Sequence, residues 1–314
     1  MEPIIQYKND KIILLLKNIV IKKKILFLIT ITLLNIISIF AQNGQCGDNL
    51  TWVLNSETNT LTISGTGDMW NYNYGSFPNP PTWNPYLSQI EHVKIENNVV
   101  SIGNHAFNNC QNLTSISLGN NLNRIGEFAF SGCNSLNSMT IPNNVKTIAM
   151  YAFNYCLNLS SITIGNGITT IEPSTFRGCS KLTSVNFSNN IIHIGERAFE
   201  KCTSLVSISL PNTVNFIGEE AFKECSNLIS ITIPDSVKKL EWRTFYQCSK
   251  LTTVVLHNNL VSIGNAVFRD CFNLTSINLP SSLTSIGGNV FDNCHNLLSI
   301  VIPDGVTTIH SETF

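Results

Sequence analysis

The stretch "NHAFNNC", residues 104–110, carries two residues that decide the fold. Phe107 returns 23 residues later as Phe130, then as Phe153, Phe176, Phe199, Phe222, Phe245, Phe268, Phe291 and Phe314. Cys110 returns at the same interval as Cys133, Cys156, Cys179, Cys202, Cys225, Cys248, Cys271 and Cys294. Neither series misses a position. Leu113 recurs on the same interval through Leu297, and aliphatic side chains hold the places of Ile116, Leu118, Leu122 and Ile125 in nearly every copy. Phe187 is an aromatic exception. A fixed period without insertions marks a chain of equivalent units, each too small to bury its own apolar residues until its neighbours stack on it.

Within one unit, "LTSISL", 113–118, alternates Ile116 and Leu118 with Ser115 and Ser117, the period of two of a half-buried strand. "LNRIG", 122–126, offers a second short extended piece with Leu122 and Ile125 turned inward. "EFAFSGC", 127–133, is expected to take Ala129 and Phe130 through a single helical turn, since Gly and Asn are too frequent for a longer helix. The sum is a mainly β repeat solenoid of short strands and single-turn helices. About ten 23-residue copies fill 90–314, the first, opened by Ile90, Val93 and Ile95, being the least regular and the last incomplete. With strands about 4.8 Å apart, such a stack is roughly 50 Å long. Equivalent residues lie above one another, so the phenylalanines predict an aromatic spine and the cysteines a buried column.

These units resemble leucine-rich repeats of the BspA-like class, whose signature stands here as Ile102-Gly103…Ala106-Phe107…Cys110, Ile125-Gly126…Ala129-Phe130…Cys133 and Ile217-Gly218…Ala221-Phe222…Cys225. The likeness covers 90–314. Thr175, Thr244, Val267, Val290 and Thr313 replace the alanine, and Glu172 and Glu241 replace the glycine. Residues 46–69, "CGDNLTWVLNSETNTLTISGTGDM", are similar to the segment that often opens such proteins. The resemblance implies a secreted or surface-attached protein used in adhesion and protein binding.

Residues 42–89 fall off the period. Leu50, Trp52 and Leu54 alternate, as do Leu61 and Ile63, with "SETN", 56–59, between them, which predicts a β-hairpin covering the open apolar end of the stack. The aromatic run "MWNYNYGSFPNPPTWNPY", 69–86, reads either as a cap loop with inward-packed rings or as a carbohydrate platform of Trp70, Tyr72, Tyr74, Trp83 and Tyr86; packing is the commoner use of such rings. At the N-terminus, Lys22-Lys23-Lys24 precede the apolar run 25–40, short for a membrane span, and a small residue, Ala41. This predicts a lead-in and signal peptide over 1–41, cleaved near Ala41, with no membrane span in the mature chain.

The 314 residues carry a net charge of −1 and only 12 % charged side chains, which argues against nucleic acid as a partner. Nine cysteines in register should point the same way, poor geometry for disulfides, so a column of free thiols is expected, with Cys46 left as a possible partner for Cys110. No Cys or His pair has ligand spacing, and no metal or cofactor is expected. The histidines at 92, 105, 193, 257, 295 and 310 are expected on the solvated repeat surface. The outward strand positions form lanes. One holds Ser115, Ser138, Ser161, Ser184, Ser207, Ser230, Thr253, Ser276 and Ser299. The next holds Ser117, Thr140, Thr163, Ser209 and Thr232, interrupted by Asn186, Val255, Asn278 and Val301. A third runs from Gly119 through Pro142, Gly165, Ser188, Pro211, Pro234 and His257 to Pro280 and Pro303. They contain no carboxylate or lysine to carry protons, which argues against an enzyme. They form instead a flat, hydroxyl-lined candidate binding face, although hydroxyls of this kind also serve simply to hydrogen-bond along a ladder. The expectation is a secreted or surface module binding an extracellular protein or glycan; the alternative is a structural spacer that displays another domain and binds nothing itself.

Overall fold

A computed structural model describes residues 20–25, 42–73 and 79–314. Residues 20–25 are helical. The rest of the signal-peptide reading, and Tyr74, lie outside the described residues. No helix among the described residues is long and apolar enough to cross a membrane.

Three strands open the described body: β1 (Gln42–Gly47), β2 (Leu50–Asn55) and β3 (Thr60–Gly65). The second and third form the antiparallel hairpin that alternation anticipates, with Trp52 opposite Ile63 and Leu54 opposite Leu61. From there pairing turns parallel. Leu61 sits beside Val93 and Ile63 beside Ile95 of β5 (His92–Ile95), and Val93 beside Ile116 of β7 (Ser115–Ser117). A second column starts at β4 (Gly67–Asp68) and continues through β6 (Val99–Ile102) and β8 (Arg124–Ile125). Both columns advance one repeat at a time. Ser161 lies between Ser138 and Ser184, and Ile194 between Ile171 and Ile217.

The third segment of each coil is not a helical turn but a run of turns. Its amide groups divide their work by alternation. The N–H groups of Phe128, Phe130 and Gly132 donate forward to the carbonyls of Met150, Ala152 and Asn154, at 3.3, 2.8 and 2.8 Å. Those of Ala129, Ser131 and Cys133 donate back three residues, to Gly126, Phe128 and Phe130. A helix would use every amide inside its own turn; here half of them stitch one coil to the next. The arrangement requires left-handed residues at two places per coil, for example Phe128 at φ 51° with Gly132 at 72°, and Arg197 at 53° with Lys201 at 62°. Side chains other than glycine pay about 1–2 kcal/mol for that region, which the forward hydrogen bonds must outweigh.

The phenylalanines stand buried in one stack from Phe107 to Phe291, and neighbouring ring centroids from Phe107 to Phe314 lie 5.3–5.8 Å apart. The stack does not begin at Phe107. Trp83, fully buried, lies 5.5 Å from it with planes 20° apart, and its indole N–H donates to the Ala106 carbonyl at 3.0 Å. The cap thus supplies the ring a preceding coil would have supplied. Trp52 and Tyr72 pack edge-on against Trp83.

The cysteines are free, buried thiols, and Cys46 is free as well, so no bridge joins it to Cys110. From Cys133 to Cys294 each S–H donates to the carbonyl of the phenylalanine 26 residues earlier, at 3.1–3.3 Å. The Phe107 carbonyl also accepts the Cys110 amide at 3.1 Å, so both of its lone pairs are used, one within the turn and one by the next coil. That is the physical use of a strictly spaced cysteine: a small, mostly apolar side chain with one weak donor. Burial pushes these thiols up, Cys156 to about 12, so they do not ionise at neutral pH.

Candidate functional site

The strand face is built by the period-two alternation. Ser115, Ser117, Ser138, Thr140, Thr163, Ser207, Ser209, Ser230, Thr232, Thr253, Ser276 and Ser299 are exposed, and Ser161 and Ser184 half-buried. The registers place Thr163 beside Thr140 and Asn186, and Ser230 beside Ser207 and Thr253. Hydroxyls that bond along the stack do so one position earlier in the coil. Thr114 Oγ1 donates to the Glu91 carbonyl at 2.9 Å, Ser160 Oγ to Asn137 at 2.9 Å, Thr183 Oγ1 to Ser160 at 3.1 Å and Thr252 Oγ1 to Ile229 at 3.0 Å. Within the first two lanes, among the described residues, hydroxyl contacts are confined to His92 with Ser115 at 2.8 Å, Asn186 with Thr163 at 3.4 Å and Thr252 with Thr253 at 3.5 Å; in the third lane Ser188 Oγ accepts the Asn190 amide at 3.4 Å. The other lane hydroxyls keep donor and acceptor for solvent or a partner.

The third lane closes one side of this face. Pro234, Pro280 and Ser188 are buried, and His257 pairs with Asp235 at 2.9 Å. His257 and His92 thus have partners, as does His105, whose ring is half-buried and stacks on Phe128 at 4.8 Å. Burial holds His105 below the ordinary imidazole value, against an opposite pull from Glu127. These three are not simply solvated residues.

The large anchors that the lanes lack collect instead along the turns. Phe128 continues the His105 stack onto Tyr151 at 4.5 Å, and Met150 and Tyr155 on the same turn are exposed. Further along, Glu200 and Glu220 are almost completely buried at 1 % and 2 % exposure, so each must be neutralised in place. Arg177 Nε lies 2.8 Å from Glu200, and Lys223 Nζ 3.4 Å from it. Glu220 receives Arg197 and, at 3.1 Å, Lys223, with Arg243 3.7 Å away. Burial alone would raise the Glu220 carboxyl. The hydrogen bonds from Arg197 and Lys223 outweigh it and hold the group below its usual range. The Arg243 guanidinium lies 4.2 Å from the centroid of Trp242 and 5.0 Å from that of Tyr246. Sequence reading missed this cluster although its members fall on the period, Arg177, Glu200 and Lys223 at one repeat position and Arg197, Glu220 and Arg243 at another; the alternation of opposite charges every 23 residues along these turns was the available sign.

No group of three or more His, Cys, Asp or Glu residues suited to a metal ion occurs among the described residues. Comparison with known proteins agrees with the geometry. Residues 86–206 and 192–314 match the family model described as BspA type leucine rich repeat region, six copies. No curated protein matches the sequence. The crystal structure of a leucine rich cell surface protein from Faecalibacterium prausnitzii A2-165 is similar over 88 % of this chain and 86 % of that one, with 27 % identity and a TM-score of 0.53. A leucine-rich repeat protein from Eubacterium ventriosum ATCC 27560 shares 22 % identity over 85 % of this chain and 92 % of its own, with a TM-score of 0.48. The T. pallidum leucine rich repeat protein shares 26 % over 75 % and 88 %, with a TM-score of 0.41.

Proposed function

This chain belongs to the BspA type leucine rich repeat family, and from that premise we propose that it is a secreted or cell-surface binding module, used in adhesion to an extracellular protein or glycan. The mature protein begins near residue 42, with a cap over 42–89 and the repeat stack over 90–314. The observation that carries the reading is the division of hydroxyls on the strand face. Those at the position of Thr114 stabilise the stack, whereas most of those at the positions of Ser115 and Ser117 bond to nothing within it. A row of unused donors and acceptors, in register every coil, suits repeated weak polar contacts with an extended ligand, where avidity replaces a single anchor. The likeness to a cell surface protein of Faecalibacterium prausnitzii supports the same location for this chain. The reading is non-enzymatic, and it makes nucleic acid no partner.

The test is an array of extracellular-matrix proteins and glycans probed with the purified protein and with a Ser184→Lys/Ser207→Lys/Ser230→Lys variant. A reproducible hit lost in the variant is expected. A hit that survives the three lysines overturns the strand face as the site. Silence from a protein shown to be folded favours a spacer that displays another domain.

A further inference from the structure

The cap carries a surface unlike anything in the repeats. Among the described residues, the cap's other large rings are packed inward in whole or in part: Trp83 is 0 %, Trp52 2 % and Tyr72 5 % exposed, and Tyr86 is half-buried. Trp70 keeps 40 % of its surface in solvent. It is nevertheless firmly placed. Its amide donates to the Cys46 carbonyl at 2.8 Å and its indole N–H to Asp48 Oδ1 at 3.1 Å. It lines a cavity of about 400 Å³ together with Asp48, Asn49, Asp68 and Asn71, a size within the range of small-molecule sites. The surrounding backbone is pinned, Thr66 N–H to the Asn49 carbonyl and Gly67 N–H to the Asn98 carbonyl, both at 3.1 Å.

The polar groups of this cavity are only partly used. Asp48 spends one carboxylate oxygen on the indole. Asn71 Oδ1 accepts the Asn104 amide at 2.9 Å, which leaves its two N–H donors free to turn to a ligand. The Asp68 carboxylate and the Asn49 side-chain amide have no partner among the described residues. The wall thus combines a flat apolar ring, carboxylates that only accept and amides that donate.

We propose that this cavity is a saccharide site taking one neutral sugar ring, with the C–H face of the ring against Trp70, its hydroxyls donating to Asp48 and Asp68 and accepting from Asn49 and Asn71. Each hydroxyl of a neutral sugar donates and accepts at once, which matches a wall holding both kinds of group. An apolar ligand would leave the carboxylates buried and unpaired. A sulfated or sialylated sugar would bring negative charge against two carboxylates. A lysine-like cation has no acceptor for the amides. The inference rests on the reading of the chain as an extracellular binding module, but it places a second contact in the cap, away from the strand lanes.

Isothermal titration of the full mature protein with chitotriose, maltotriose and lactose, and with sulfated chitotriose and 3′-sialyllactose, tests it. At least one neutral sugar should bind with a Kd of about 1 mM or tighter, and its anionic counterpart at least about tenfold more weakly. Trp70→Ala and, separately, Asp68→Ala should each weaken that binding about tenfold or more with the unfolding midpoint unchanged; Asp68 is exposed, so this second variant keeps the test valid if the first misfolds. The triple-lysine variant of the strand face should bind the sugar as before, so failure of the lanes and failure of the cavity are told apart. No binding of any neutral sugar, equal binding of the anionic ones, or binding that survives both cap substitutions overturns the proposal.

Discussion

The strand face and the turn edge of this protein are made by the same coils and could hardly differ more. The strand face repeats: small hydroxyls in register, almost no charge, almost no large side chain. The turn edge individualises. It holds His105, Phe128 and Tyr151 as one stack, then two buried carboxylates among arginines and a lysine, then Arg243 over Trp242 and Tyr246. The difference follows from what each segment owes its neighbours. Strand side chains must lie in parallel register at a fixed spacing, so one choice is repeated. Turn side chains stack at the same 23-residue interval, as His105, Phe128 and Tyr151 or Arg197, Glu220 and Arg243 do, but their backbone amides already bond coil to coil, so the stacked residues can differ from one coil to the next.

That contrast can be broken most severely from beneath both surfaces. Phe199→Ala removes a fully buried ring stacked at 5.5 Å on Phe176 and Phe222, and is expected to cost about 3–5 kcal/mol in urea unfolding. A loss under about 1 kcal/mol would mean that the spine is ornamental and the backbone ladder alone holds the stack. On the turn edge, Glu220→Gln should cost roughly 1–3 kcal/mol, since it removes the negative charge shared by Arg197 and Lys223 and replaces one acceptor oxygen with an NH2 donor facing two cations. The folded carboxyl is held below its unfolded value of about 4.3, so its contribution is complete above that pH and is lost as pH falls through the lower folded value. Wild type and variant should therefore converge in acid; a gap that widens on acidification contradicts the assignment.

Smaller effects sharpen the comparison. Cys202→Ala deletes the S–H donor to the Phe176 carbonyl, which keeps the Cys179 amide at 3.2 Å, and is expected to cost about 1 kcal/mol. Iodoacetamide should leave the folded protein's cysteines unmodified and, after unfolding without reductant, label every one; a bridged pair in the column would show as missing label. Last, Ser207→Ala on the strand face should shift stability by less than about 0.5 kcal/mol, because its hydroxyl bonds to nothing in the stack. A larger loss would make that lane structural and weaken its case as a binding face.

Much of this architecture was legible in advance. The 23-residue interval implied stacked coils, the alternation of "LTSISL" placed the strand, and Leu50, Trp52 and Leu54 announced the hairpin. The turn was misjudged as helical because local preference says nothing about an amide whose acceptor lies 22 residues ahead, as Phe130 donates to Ala152. The strand Gln42–Gly47 carried no alternation to read. The aromatic run of the cap offered two readings, and burial divided it: Trp83 and Tyr72 went inward and Trp70 stayed out.

What the sequence determined by itself is the repeat: period, strand position and the side chains that stack, because each is a local rule applied again every 23 residues. What only the tertiary structure decided lies where the rule stops. Trp83 takes the place of a missing phenylalanine at an interval of 24 rather than 23, and Trp70 meets Asp48 across the cap. Such contacts depend on which surfaces the stacking brings side by side, and a pattern that treats every coil alike holds no record of them.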